Sequence, residues 1–537
     1  MTKFLSMVFL LAFIPATAMD RAHFLELNQK AGELRKQKDW TGLLKVMIEI
    51  GHEMPGATPR YLLRMASVEM HLGHTSEALK WMEQYASMGL TYDVAADDDL
   101  APLAKEEAFK AVADKMRENI KPVSKAELVC TLPLPDMMPE DLTFEKTALS
   151  QKTLSKKSVP EKSLSKKSLF EKSRGTFVMS SIQHHTLYRV SLPQAGSQEC
   201  AVTEISLPED AKRWPTLAVS SDATRNVLWM TASAMPGFSG FPKEDDGKAV
   251  LLAIDGENGK VLRRLDPATG SAAVLGDMSV ARDGTVYVTD SIGGGVYRVR
   301  GDLANSKLKK IAEGLFSPQT PVVARDGKRL FVADYPMGIA IVSLTGNATQ
   351  NSRVDEQAKG RFINTVQNSM VEEQSGGRFI TIAENSSVES SSRENSSVEE
   401  QAFRPVPLAS KPLGFSPGET PFQAKANLEY LRHPANVAVT GLDGLYLSGD
   451  SLIGIQNGTE PARIVRYRLN HAQTEILSAE VIEQSTERLG EPTHVVEADG
   501  WFYVTANVGW NKIDDSGVLK PGQQFTRPIL LRFKKSK

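Results

Sequence analysis

Apolar positions along this chain change their period once, and the change divides it. From residue 20 to about 120 they recur at helical spacing: Leu25, Leu27, Ala31 and Leu34, then Leu43, Leu44, Met47 and Ile50. Two more helices are predicted from Tyr61, Leu62, Met65, Val68 and Leu72, and from Ala78, Leu79, Met82 and Tyr85. RKQKDWTGLLKVMIE aligns with MHLGHTSEALKWMEQ at an offset of about 35, near a tetratricopeptide period, and a shorter helix is expected around Leu103 to Met116. From about residue 126 short apolar strands alternate with polar turns. One strand motif returns six times: GTFVMSS (from Gly175), RNVLWMTAS (Arg225), RDGTVYVTDS (Arg282), RDGKRLFVADY (Arg325), GDSLIGIQ (Gly449) and ADGWFYVTAN (Ala498). The copies stand roughly 45–60 residues apart with one gap about twice as long, the signature of propeller blades.

The expected fold is therefore mainly β: a six-bladed β-propeller over 126–537, preceded by a tetratricopeptide-like α-helical domain over 19–120. Two inserts interrupt the propeller. Lys152 to Glu161 is nearly repeated by Lys162 to Glu171, and residues 347 to about 401 carry ENSSVE twice. These Lys/Ser- and Ser/Asn/Glu-rich stretches lack apolar periodicity and predict disordered loops at about 148–174 and 347–405. The chain ends in the strand RPILLRF without a seventh copy. AELVCTL (Ala126 to Leu132) is thus expected as the outer strand of the last blade, closing the ring beside Phe502 and Leu530 and removing its open edges.

Lys3, the apolar run Phe4 to Ile14 and the small residues Ala16-Thr17-Ala18 predict a cleaved signal peptide over 1–18 and a periplasmic or secreted protein. The run is too short to span a bilayer, and no integral membrane segment is expected. A net charge of -2 and pI near 6.6 give no reason to expect nucleic acid as a partner. Cys130 and Cys200 read as independent buried thiols, with a bridge as the alternative that export permits.

No HExxH, GxSxG, GxxxxGK[ST] or strand-bound GxGxxG occurs. His184 and His185 adjoin each other after a strand and read as surface residues. Propeller chemistry sits where each innermost strand meets the channel, and that strand precedes each aromatic copy. The polar residues there are Glu140, Asp141, Asp277, Gln319, Asp443, Glu491 and Thr493. Converging carboxylate and amide oxygens suit a hard divalent cation such as calcium. Alternatively, each caps a strand start and satisfies loop amides.

PEDLTF, LGDMSVARDGTVYVTDS, SPQ..VARDGKRLFVADY and GLDGLYLSGDSLIGIQNG resemble the gluconolactonase, regucalcin and senescence-marker-protein family of six-bladed propellers. QNGTEPARIVRYRL and EPTHVVEADGWFYVTANVGWNK resemble an exported bacterial branch that joins helices to this propeller. The resemblance implies a divalent metal, possibly calcium, held by Glu140, Gln319 and Asp443, with Asp443 also as catalytic base in hydrolysis of a sugar lactone. Gln319 stands where the family has Asn, and Asp443 falls in a matching D-G turn. Asp277, Gln456, Asn457 and Arg463 are the expected substrate-binding residues; Gln456, Asn457, Arg463, Asn507 and Trp510 either line the same mouth or serve as blade-to-blade hydrogen bonds. The alternatives are a non-catalytic scaffold, with the helices offering a protein-binding surface, and a quinone-dependent redox propeller.

Overall fold

A computed structural model describes residues 21–145, 175–345 apart from 195 and 268–270, and 428–535. The expected signal peptide and both expected inserts lie outside the described residues. In the helical region α1 (Arg21–Lys36) packs on α2 (Trp40–Glu53), and α3 (Pro59–His71) on α4 (Thr75–Ser87). The Asp39 carboxylate caps α2 by accepting from the Gly42 amide, and Thr58 caps α3, with Pro59 in its first turn. Leu62, Met65, Met82 and Leu103 are fully buried between the helices. The helix expected at Leu103 begins as two 3-10 turns and becomes α-helical only at α5 (Lys110–Asn119).

Two short strands follow, β1 (Val123–Ser124) and β2 (Glu127–Thr131), and then the ring begins. Blade I holds β3 (Leu142–Glu145), β4 (Thr176–Ser181), β5 (Thr186–Ser191) and β6 (Ala201–Glu204). Blade II holds β7 (Thr216–Asp222), β8 (Val227–Ser233), β9 (Ala249–Asp255) and β10 (Val261–Leu265). Blade III holds β11 (Leu275–Val280), β12 (Val286–Asp290), β13 (Gly295–Val299) and β14 (Lys309–Ala312). Blade IV holds β15 (Pro318–Val323), β16 (Arg329–Asp334), β17 (Gly338–Ser343) and β18 (Leu428–Tyr430). Blade V holds β19 (Leu442–Ser448), β20 (Ser451–Gln456), β21 (Arg463–Leu469) and β22 (Ile476–Gln484), with β1 added at its outer edge. Blade VI holds β23 (Val495–Ala498), β24 (Trp501–Ala506) and β25 (Ile529–Lys534), completed by β2.

All six blades are antiparallel and run from inside to outside in chain order, except where β1 and β2 are added. The six repeated motifs are the second strands. Their alternate side chains, among them Phe177, Trp229, Phe331 and Phe502, are fully buried between neighbouring blades. Six apolar cores result, one at each blade-to-blade junction, so every blade is held by its neighbours.

The junction between blades VI and I closes the ring. β2 pairs antiparallel with β25, Cys130 opposite Leu530, as the sequence predicts. Contrary to the expectation of independent thiols, Cys130 is disulfide-bonded to Cys200, just before β6 of blade I, with Cα atoms 5.5 Å apart. Sequence cannot reveal this pair, because 70 residues separate the cysteines and only ring closure makes them neighbours.

The starts of β3, β7, β11, β15, β19 and β23 all lie at one mouth of the channel, and the helices pack on that same side. The buried Arg463 guanidinium donates to Gln456 Oε1 (2.6 Å) and to the carbonyls of Met88 (3.2 Å) and Gly89 (3.1 Å). The Thr91 amide donates to the Glu460 carbonyl at 2.8 Å, and Gln484 Nε2 to those of Asn119 (2.7 Å) and Lys121 (3.0 Å). Arg463→Ala removes a charged donor from two buried acceptors and one part-buried one. It is expected to lower unfolding free energy by about 3 kcal/mol in urea titrations and to expose the 88–125 connection to protease. An unchanged midpoint and digestion pattern would contradict this role.

Candidate functional site

Each side chain at the mouth is delivered by the start of an inner strand. Glu140 and Asp141 precede β3, Asp277 is the third residue of β11, and Thr320 the third of β15. Asp443 is the second residue of β19, and His494 immediately precedes β23. Glu140, Asp443 and His494 each offer one ligand atom, and the three atoms lie within 4.8 Å of one another. Asp443 and His494 are only 8% and 4% exposed. Gly444 permits this approach: a Cβ there would stand 2.5 Å from the Thr493 carbonyl oxygen and 2.9 Å from His494 Cα. The D-G pair expected to form a turn thus lies within strand β19, where glycine serves close backbone approach.

Surrounding groups hold the three in place. His494 Nε2 lies 3.1 Å from Asp277 Oδ1. Thr320 Oγ1 is 2.9 Å from Asp277 Oδ2, 2.8 Å from the Asp443 carbonyl oxygen and 3.1 Å from His494 Nε2. Asn457 Nδ2 donates to Asp443 Oδ2 at 2.8 Å, and Tyr335 in turn donates to Asn457 Oδ1 at 3.1 Å. The Trp510 indole donates to Glu140 Oε2. Asp141 accepts from the Val219 amide of blade II at 2.9 Å and so ties two blades together.

His494 Nδ1 is buried and has no hydrogen-bond partner. With Nε2 facing Asp277, loss of the ring's second proton on cation binding would free a lone pair on the unpartnered Nδ1. A carboxylate behind a histidine in this way is the usual support for a metal-binding imidazole. The donor set therefore fits a divalent cation on an observation of this structure. Because it mixes one imidazole nitrogen with carboxylate oxygens, it favours zinc or manganese over the expected calcium.

The other expected site residues separate into two groups. Asn457 and Asp277 do stand at the mouth, as supports of Asp443 and His494. Gln319 instead hydrogen-bonds to Ser317 Oγ at 3.1 Å, while its neighbour Thr320 reaches the acids. Gln456 and Arg463 are engaged in the contact with the helices: the Gln456 amide donates to the Thr440 carbonyl at 2.6 Å and accepts from Arg463. Their buried polar atoms are thus engaged in hydrogen bonds, the second of the two roles expected for them, here within blade V and to the helices. His494 is the residue the sequence reading passed over, one position beyond Thr493.

Burial pushes the Asp443 carboxyl up to about 7 and Asp141 to about 6, in each case despite His494. Burial likewise raises Glu491 to about 7, and burial followed by the charge of Asp443 holds Glu140 well above the usual range. For His494 burial disfavours the charge, but Asp277, Asp141 and Asp443 outweigh it and keep the ring protonated well above its ordinary range. Groups with raised folded pKa bind more protons folded than unfolded, so their stabilising contribution is lost as pH rises through those values. The melting temperature of cation-free protein is expected to fall between about pH 5 and 8. Added divalent ion should flatten that slope, and Asp443→Asn should reduce it. A melting temperature that rises over this window would contradict the electrostatic picture.

No family model matches the sequence, and no curated protein matches it. Among solved structures, the PQQ-bound aldose sugar dehydrogenase of Streptomyces coelicolor is similar at 12% identity and a TM-score of 0.36, covering 76% of this chain and 99% of that one. A virginiamycin B lyase of Staphylococcus aureus is similar at 9% identity and a TM-score of 0.37, again covering 76% and 99%. No residue role or activity passes from either to this chain.

Proposed function

We propose that this chain is a divalent-cation-dependent hydrolase of a sugar lactone or related ester, working at the channel mouth. The observation that carries this reading is the convergence of Glu140, Asp443 and His494, whose ligand atoms lie within 4.8 Å of one another, with His494 Nδ1 buried and without a hydrogen-bond partner. Glu140, Asp443 and His494 would hold the ion, which when bound supplies Lewis acidity toward an ester carbonyl. Asp277 and Thr320 fix the imidazole, Asn457 fixes one Asp443 oxygen, and Trp510 fixes one Glu140 oxygen. The Asp443 oxygen that does not hold the ion could accept a proton from water and return it. The expected signal peptide would place this chemistry in a periplasm or outside the cell.

The test is hydrolysis of aldonolactones and aryl esters by chelator-treated protein with zinc, manganese or calcium restored in turn. Activity should vanish with chelator and return better with zinc or manganese than with calcium. Protein that binds zinc tightly but cleaves no lactone or ester would instead favour the scaffold alternative, in which the helices beside the mouth offer a docking surface.

A further inference from the structure

The segment 507–527 leaves the end of β24, and that end pairs with the start of β23, Val495 opposite Val504. It therefore emerges at the mouth that holds Glu140, Asp443 and His494. Instead of turning tightly into β25 it crosses to other blades. The Ser516 carbonyl accepts from the Ser239 amide of the blade II loop at 2.8 Å, and the Gly517 carbonyl from Gln183 of blade I at 3.1 Å. Beneath it, Val508, Ile513, Trp510 and Phe525 join Met138, Leu217 and Phe238 in an apolar cluster drawn from blades I, II, III and VI. Two acids face its underside: Glu140 accepts from the Trp510 indole, and Glu491 accepts from the Asn511 amide at 2.7 Å.

The contrast in attachment matters. β24 and β25 are joined by a continuous ladder, whereas 507–527 is tied to blades I and II by a few hydrogen bonds and one small apolar cluster. Such a segment opens at far lower cost than the sheet that carries it. Behind it, Asp443 and His494 are buried, too little exposed for a molecule larger than water to meet them until something moves.

We propose that residues 507–527 are a lid that must lift from the mouth before a substrate-sized molecule reaches Asp443 and His494, with the Trp510–Glu140 hydrogen bond as its latch. The proposal rests on the reading that this cluster is the working site, and its test is independent of cation binding. Gly517 has φ +77° and packs on Phe238, where a Cβ would stand 2.3 Å from the ring, so Gly517→Ala forces the anchor apart. Trp510→Phe keeps an aromatic ring in the apolar cluster while removing the N–H together with part of the indole's volume.

The measurement is the rate at which diethyl pyrocarbonate modifies His494 in chelator-treated protein at alkaline pH, where the neutral ring that the reagent attacks is populated, read by mass spectrometry against exposed His471. Both variants are expected to raise the His494 rate about tenfold or more, one by loosening the latch and the other by loosening the Phe238 anchor, and to leave His471 unchanged. Zinc association and dissociation rates should rise together in the same variants. Equal His494 rates in all three proteins would overturn the lid, whatever zinc does. Faster His494 modification in a protein that binds no zinc would keep the lid and overturn the cation reading. If Gly517→Ala does not fold, Trp510→Phe decides alone.

Discussion

Asp443→Ala should weaken divalent-cation binding by about 100-fold or more and abolish cation-dependent hydrolysis, because it removes a ligand and not merely a support. It should do so without unfolding the protein. The Asp443 carboxyl is buried among other acids, and burial has pushed it to about 7, so at neutral pH its ionisation opposes the fold. The cation-free variant is therefore expected to melt at or above the wild-type temperature near pH 8. Calorimetric titration with zinc, paired with thermal melts in chelator, reads both halves. A variant that binds zinc like wild type would remove Asp443 from the site. One that melts well below wild type in chelator would show that the acid is structural.

Loss of the Cys130–Cys200 bond should produce the largest change in stability. It ties the outer edge of blade VI to the outer strand of blade I, the one junction built from distant parts of the chain. The bond closes a loop of 70 residues in the unfolded chain, and loop-closure entropy alone gives about 4 kcal/mol. A Cys130→Ala, Cys200→Ala double variant should fall by that amount in urea denaturation, and thiol reduction of wild type should reproduce it. Its effect should add to that of Arg463→Ala, which acts at a separate junction. If reduced and oxidised proteins share a midpoint, the ring does not depend on this staple.

The ring itself was legible because its period is written in local pattern. A turn followed by an aromatic strand, repeated six times, marks the second strand of every blade and places each inner strand just before it. Ring closure followed from the unpaired final strand and AELVCTL. The site was legible only in part, since the same repeat position delivers Glu140, Asp277, Asp443 and His494, but not which neighbours face the channel. In SPQT the channel-facing residue is Thr320 and not Gln319; in EPTH it is His494. That one-residue offset comes from irregular pairing at the inner strands, as between Pro318 and Pro321, which a period-two reading of a strand cannot anticipate. Gln319→Asn, which would restore the family residue, is accordingly expected to leave cation binding unchanged. Gln456 and Arg463 looked functional because the QNGTEPARIVRYRL motif was expected at the mouth; their hydrogen bonds became clear only once the helices were seen resting on blade V. The disulfide was hidden for a related reason, being set by tertiary closure and not by spacing.

The most direct test of the central claim, that Glu140, Asp443 and His494 hold a divalent cation, is X-ray absorption at the zinc edge of protein loaded with one equivalent of zinc. One imidazole nitrogen at about 2.0–2.1 Å together with carboxylate oxygens is the predicted environment, and His494→Ala should delete the imidazole signal. An all-oxygen environment unaltered by His494→Ala, or no zinc retained by the wild-type protein, would contradict it.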